Sequence, residues 1–178
     1  LRVIDLSFNG IIDKIPAEIG ELKHLRKLDL RRNRLSGTLP PSLGQCAALR
    51  ELALGDNELT GQLPRTLSQL RSLHTLRFDA NKIDGMLPDL VNCTKLHTIV
   101  GFRNRLGGEI PNAALAELRA LRVLDLFNNG LSGTVPRCLG LLKRLEKLNL
   151  SANNLTGDVP AAIGNCRRLR HLELHSNQ

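Results

Sequence analysis

The sequence predicts an α/β repeat fold: a curved, right-handed superhelical solenoid with a parallel β-sheet on its concave side and short helical segments on its convex side. Three observations carry this prediction. One phrase recurs along all 178 residues, beginning at Leu1, Leu25, Leu49, Leu73, Leu96, Leu121, Leu145 and Leu169, with a spacing of 24 except for one copy of 23 and one of 25. Each copy places apolar residues at its first, fourth and sixth positions and Asn at its ninth, as in LRKLDLRRN at 25–33, with a lapse at Gly101. A Gly and then a Pro follow at fixed offsets, as in LSGTLP at 35–40. A period of this length marks stacked supersecondary units that cannot bury an apolar face alone. The copies run 1–24, 25–48, 49–72, 73–95, 96–120, 121–144 and 145–168, with a partial copy eight at 169–178, and form one domain over 1–178.

Each recurring position has a physical reason. The fourth and sixth share a parity, so both leave one face of a strand and form the core, while the third and fifth face the concave side. Asn9, Asn33, Asn57, Asn81, Asn104, Asn129, Asn153 and Asn177 fill one slot in all eight copies. An amide has donors and acceptors to satisfy backbone groups at a buried turn. Gly37, Gly61, Gly85, Gly108, Gly133 and Gly157 suit a turn with positive φ, and Asp13 stands in that slot in copy one. Pro16, Pro40, Pro64, Pro88, Pro111, Pro136 and Pro160 end a second extended piece. The segments after Pro, such as PPSLGQC, are expected to form one-turn helices.

The phrase LxxLxLxxNxL, continued as LxGxxPxxLGxL, resembles the plant-specific class of the leucine-rich repeat, found in plant receptor kinases, receptor-like proteins and polygalacturonase-inhibiting proteins. The resemblance covers the whole chain. It implies a non-enzymatic solenoid that recognises a protein or peptide ligand, outside the cell at the plasma membrane, as part of a plant cell-surface receptor in signalling or immunity. A co-receptor is the further partner it implies, docking like the ligand on the inner or lateral face. It also implies a signal peptide and Cys-paired caps, a transmembrane helix, and a Ser/Thr kinase beyond that helix. The chain starts and stops within the pattern and is read as an uncapped fragment, expected to be marginally stable and sticky when excised. One peptide-receptor group reads a free carboxylate with Arg at the third and fifth positions of one copy. Here copy two has Lys27 and Asp29, and copy four has Thr75 and Arg77. The alternative is a secreted inhibitor of cell-wall-degrading enzymes, resembling polygalacturonase inhibitors. A third reading is an intracellular scaffold, which un-bridged cysteines would permit.

Composition narrows the partners. Net charge is +8, carried mainly by Arg, which suits an acidic partner. The chain has no Trp, no Tyr and four Phe, whereas single-strand binders interleave cations with stacking aromatics, so nucleic acid is not expected. No apolar run is long enough to span a membrane. Cys46, Cys93 and Cys166 occupy a slot held by Leu in other copies and read as core residues too far apart to bridge. Cys138 stands at a variable convex position and is expected to be exposed. No CxxC spacing, nucleophile elbow or phosphate loop occurs, and no cofactor or metal is expected. His171, Glu173 and His175 share a strand face, but a polar concave face accounts for them.

Variable positions mark where binding is expected. The second position of successive copies holds Arg2, Arg26, Arg50, His74, His97, Arg122, Glu146 and Arg170. The five arginines form a basic ladder, read either as a solvated rim or as attraction for an acidic partner such as a cell-wall polysaccharide. On the concave face, Phe102 and Phe127 share a column in copies five and six, with Val100 and Val123 pointing outward nearby. Arg77, Asp79, Arg103, Asp125, Asn128 and Asn149 complete a polar rim around this apolar centre, the composition of a binding hot spot. Gly101 leaves a hole in the core, and the sequence allows two fates for Phe102: it lies on the surface as a ligand platform, or it swings inward to plug the hole. Sequons at Asn92, Asn149 and Asn154 are candidate glycosylation sites.

Overall fold

The fourth-position leucines and the residues beside them set the frame. In the computed structural model, which describes residues 1–178, eight three-residue strands form one parallel sheet in sequence order. They are Val3–Asp5, Lys27–Asp29, Glu51–Ala53, Thr75–Arg77, Thr98–Val100, Val123–Asp125, Lys147–Asn149 and His171–Glu173. The register is unbroken, with Leu28 opposite both Ile4 and Leu52. A second parallel sheet of five strands runs through Ser36–Gly37, Glu58–Gln62, Lys82–Gly85, Arg105–Glu109 and Gly130–Ser132. Between the sheets and the convex turns lies one continuous core, in which Leu25, Leu49, Leu73, Leu96, Leu121 and Leu145 are fully buried. No helix is long and apolar enough to cross a membrane.

The convex segments follow a residue count. Where the next first-position Leu stands nine positions after Pro, as Leu49 does after Pro40, a 3-10 turn forms and the Leu43 N–H donates to the Pro40 carbonyl. Copy five has ten, from Pro111 to Leu121, and relaxes into the α-helix Asn112–Glu117, closed by Leu115 N–H to the Pro111 carbonyl. Copy four has eight, from Pro88 to Leu96, and forms no helix, unlike the one-turn helix expected there. A 3-10 helix rises about 2 Å per residue and an α-helix about 1.5 Å, so winding absorbs the length difference without disturbing the sheet.

The asparagines bind the copies together. Asn57 Nδ2 donates to the Leu30 carbonyl of copy two at 2.9 Å and to its own Leu54 carbonyl at 3.0 Å, while Oδ1 accepts from the Leu35 N–H at 3.0 Å. Asn33, Asn81, Asn104, Asn129, Asn153 and Asn177 each reach the preceding copy in the same way. The Asn9 side chain bonds only within copy one and is exposed. At the Gly slot φ lies between 68° and 77°, and Asp13 adopts 72° there.

Three cysteines are core residues as expected; Cys46, Cys93 and Cys166 are buried and donate to the carbonyls of Ile19, Leu67 and Leu139. Cys138 is not exposed as expected but 92 % buried, being 8 % accessible. It belongs to the 3-10 turn Arg137–Leu141, in the slot where Ser42 and Thr66 also press back on the preceding copy, and its N–H donates to Asn112 Oδ1. All four thiols are free.

The hole at Gly101 is filled from the neighbouring copy. Phe78, at the sixth position of copy four, is completely buried, and a Cβ added to Gly101 would stand 2.2 Å from its Cζ. Phe78, and not Phe102, is the plug. The ring leaves its own copy and occupies the volume that a sixth-position Leu would fill in copy five.

Two outcomes follow. Asn57→Ala strands the Leu35 N–H, an unpaired group worth about 1–3 kcal/mol, and takes one of two donors from the Leu30 and Leu54 carbonyls, which keep Asn33 and Asn81; it is expected to cost about 2 kcal/mol in urea unfolding, whereas Asn9→Ala, which breaks no side-chain link between copies, should cost under about 1 kcal/mol. Gly101→Leu restores the repeat consensus yet should destabilise by at least about 2 kcal/mol through overpacking, and adding Phe78→Leu should recover most of that loss in the same assay.

Candidate functional site

The concave face is built from the third, fifth, seventh and eighth positions of each copy. Strand alternation turns the third and fifth outward. The eighth residue adopts positive φ in every copy, between 51° and 60°, which lifts its side chain out of the turn. Phe102 and Phe127 sit at the seventh position of adjacent copies, both half-buried on this face, and the Arg103 N–H donates to the Phe127 carbonyl at 2.8 Å. Val123 is likewise half-buried.

Other candidate residues are less available than expected. Val100 is only 7 % accessible, because its short side chain lies between Arg77 and Asp125 in one row of the inward-curving sheet. Asp125 is buried, accepting from Lys147 Nζ at 2.7 Å. Asn149 is buried too; Nδ2 donates to Glu173 at 2.9 Å and Oδ1 accepts from the Ser151 hydroxyl at 2.6 Å. A glycan on Asn149 would replace one Nδ2 hydrogen of this buried amide, beside its bond to Glu173. Asn92 and Asn154 are exposed. Glu173 is committed to Asn149, and His175 Nδ1 faces the Ser176 hydroxyl at 3.2 Å.

Four of the candidates do converge. Arg77, Asp79, Phe102 and Arg103 line an open concavity of about 300 Å³, together with Phe8, Arg31, Arg32, Gly55, Asp56 and Ala80. Asp79 is buried beside Arg77 at 3.4 Å, and its carboxylate lies 2.9–3.0 Å from where a Cβ of residue 55 would be, so a side chain at the seventh position of copy three would displace it. Phe8 is 63 % exposed with the Arg32 guanidinium 4.9 Å over its ring, a cation–π contact. Arg103 is exposed and forms no ion pair. The concavity extends toward copy one, away from Val123, Phe127 and Asn128. Phe8, Arg32 and Asp56 were open to sequence reasoning through the eighth-position column, which points outward only because of its positive φ.

Three aspartates of the fifth column, Asp5, Asp29 and Asp125, are neutralised within the face. Asp29 is buried with Arg31 at 2.7 Å and Lys27 at 3.5 Å, and Lys27 also reaches Asp5 at 3.0 Å. The Arg31 side chain holds the Asp29 carboxyl below its usual range. Hydrogen bonds from the Ser7 hydroxyl and from Lys27 draw Asp5 down to about 2. The basic ladder differs: Arg2, Arg26, Arg50, Arg122 and Arg170 are exposed, and only Arg122 has a carboxylate near, Glu146 at 3.9 Å.

Residues 1–59, 23–83 and 119–178 match the family model for the leucine rich repeat, which covers well over half of the chain. The chain belongs to the leucine-rich-repeat family. Receptor-like protein 32 of Arabidopsis thaliana is 41 % identical to this repeat protein over 54 residues, 30 % of the chain and 6 % of that relative. The plant peptide hormone receptor RGFR1, solved in complex with RGF2, superposes with a TM-score of 0.98 at 37 % identity, over 99 % of this chain and 28 % of that one. The Arabidopsis receptor kinase HAESA, solved with the peptide hormone IDA and the co-receptor SERK1, gives 0.96 at 32 % identity, over 100 % and 30 %. This leucine-rich-repeat chain thus spans under a third of the length of these relatives.

Because Asp5 and Asp29 titrate lower when folded, the leucine-rich-repeat domain holds fewer protons than its unfolded chain in acid. Their stabilisation is complete above the unfolded carboxylate range near pH 4 and is lost as pH falls, down to about 2 for Asp5. Urea midpoints should therefore drop steeply between pH 4 and 2.5, and Asp29→Asn should flatten that dependence.

Proposed function

We propose that this chain is part of the extracellular recognition domain of a plant cell-surface receptor, held at the outer face of the plasma membrane, and that it binds an extended peptide across its concave face. It acts by binding and not by catalysis. The observation that carries the reading is the pair Phe102 and Phe127, half-buried neighbours that leave aromatic surface open beside an unpaired Arg103. Aromatic and Arg side chains supply most of the energy at recognition surfaces. The complexes of RGFR1 and HAESA with peptide hormones support the same use of this fold, and SERK1 supports a co-receptor as second partner.

The dimensions agree. Strands of a sheet lie about 4.8 Å apart and an extended peptide rises about 3.3 Å per residue. A ten-residue peptide running across the strands therefore spans about seven copies. Its side chains would meet the apolar step at Phe102 and Phe127 and a cation at Arg103, while the paired acids of the fifth column supply a neutral floor.

A synthetic peptide array probed with the full chain tests this. Peptides retained by the native protein should lose at least about thirtyfold in affinity, roughly 2 kcal/mol, with Phe102→Ala and Phe127→Ala together. Both variants should unfold at nearly the native urea midpoint, since neither ring belongs to the core. Retention within twofold would overturn the assignment of the site.

A further inference from the structure

The cations of this protein fall into two populations. Those on the concave face are largely spent within it: Lys27, Arg31, Arg77 and Lys147 each lie within 4 Å of a carboxylate. Those at the second position, where each copy enters its concave strand, are largely free, and only Arg122 has a carboxylate near, Glu146 at 3.9 Å. Their backbones are locked in line, since Arg26 N–H donates to the Arg2 carbonyl, Arg50 to Arg26, His74 to Arg50, His97 to His74 and Arg122 to His97, all at 2.7–2.8 Å. Rungs of such a ladder stand about 4.8 Å apart, so six of them make a continuous track about 24 Å long.

Two of the six rungs are imidazoles. The His74 and His97 rings meet edge to face with centroids 5.2 Å apart. His74 Nδ1 lies 2.6 Å from the Ser72 carbonyl, and neither ring contacts a carboxylate. Around them stand Arg50 and Arg122 along the row and Arg144 from the next convex turn. Burial first, and then the positive charge of His74, Arg122 and Arg144, lowers the basicity of His97. A guanidinium keeps its charge throughout, whereas an imidazole gains one only in mild acid, so the row is two permanently cationic stretches around a pair of imidazoles. The run ends at copy seven, where Glu146 turns toward Arg122.

We propose that the row Arg2, Arg26, Arg50, His74, His97 and Arg122 is a second binding site, on the lateral edge of the solenoid, for an extended acidic polysaccharide, a chain of carboxylated sugars, held more tightly once both histidines are protonated. The chemistry of the row selects that ligand. Arginine forks match carboxylates in bidentate geometry. The row carries no Phe, Tyr or Trp for stacking bases or seating apolar side chains, which disfavours nucleic acid and ordinary peptides. Its strand N–H and C=O groups are already paired along the ladder, so a peptide has no edge on which to add a strand.

The test is direct binding of polygalacturonate to the full chain, by calorimetry, at pH 5.5 and 7.5. Binding should be several-fold tighter at pH 5.5 and should weaken at least about tenfold between 50 and 300 mM NaCl as charges are screened. Arg26→Gln with Arg50→Gln should abolish it. His74→Gln with His97→Gln should remove the pH dependence and leave the pH 7.5 affinity nearly unchanged. These residues are exposed or half-exposed, and an unchanged urea midpoint would show that the variants fold. Phe102→Ala with Phe127→Ala should not alter polygalacturonate binding, which separates this site from the concave one. Equal binding of polyglutamate would overturn the choice of polysaccharide. Polygalacturonate binding that ignores salt, or survives the arginine substitutions, would overturn the site.

Discussion

One side-chain amide per copy holds this protein together. Strands of three residues are too short to define a sheet by themselves, and each copy leaves backbone groups at its turn with no partner of its own. The ninth-position Asn closes both gaps, donating to a carbonyl of the preceding copy and accepting from an N–H there, as Asn57 does with Leu30 and Leu35. The turn is thereby fixed in relation to its neighbour. The same turn forces the eighth residue to positive φ, a conformation that costs an L-residue on the order of 1 kcal/mol. It persists in all eight copies because the bonds around it over-determine the backbone. That strained residue is the one aimed outward. Phe8, Arg32, Asp56, Arg103 and Asn128 reach solvent from it, so the proposed recognition surface is a by-product of the structural ladder.

Charge is partitioned with equal economy. Buried Asp29, Asp79 and Asp125 on the concave face require cations, and Arg31, Arg77 and Lys147 supply them. An uncompensated buried carboxylate would be far more expensive than a pair. The lateral row has no such buried acids, and its arginines stay largely unpaired. The two faces are thus prepared for different encounters, one short-ranged and shape-dependent, the other long-ranged and sensitive to salt.

Everything that recurs with the period was legible in the sequence: the core leucines, the Asn and Gly columns, the Pro bends, three buried cysteines. Asp13 was legible as a Gly substitute for the same reason. What escaped depends on relations between copies. Phe78 looks ordinary in its own copy, and its purpose is visible only from the absence at Gly101, whose neighbour in space it is. Cys138 lies at a variable position but on a surface that the preceding copy covers. Val100 points outward and is still shielded by its row. The concavity around Arg77 and Phe102 shifts toward Phe8 because the eighth column, not the strand alternation alone, furnishes its walls. The convex segments could be placed, but which of them wind into a 3-10 turn, an α-helix or no helix follows only when the distance from Pro to Leu is compared copy by copy.

The exchange between Phe78 and Gly101 makes copies four and five a single inheritable unit. Elsewhere in the array, deleting or duplicating 24 residues joins one Leu-lined layer to another and leaves the packing intact. At this junction the same event would leave a ring facing a filled layer or a vacancy facing a short side chain. The two irregular lengths, 23 and 25, belong to the same two copies and sum to 48, twice the regular period. Unequal recombination can therefore lengthen or shorten this protein freely on either side of the pair, but a viable crossover must carry both members across together.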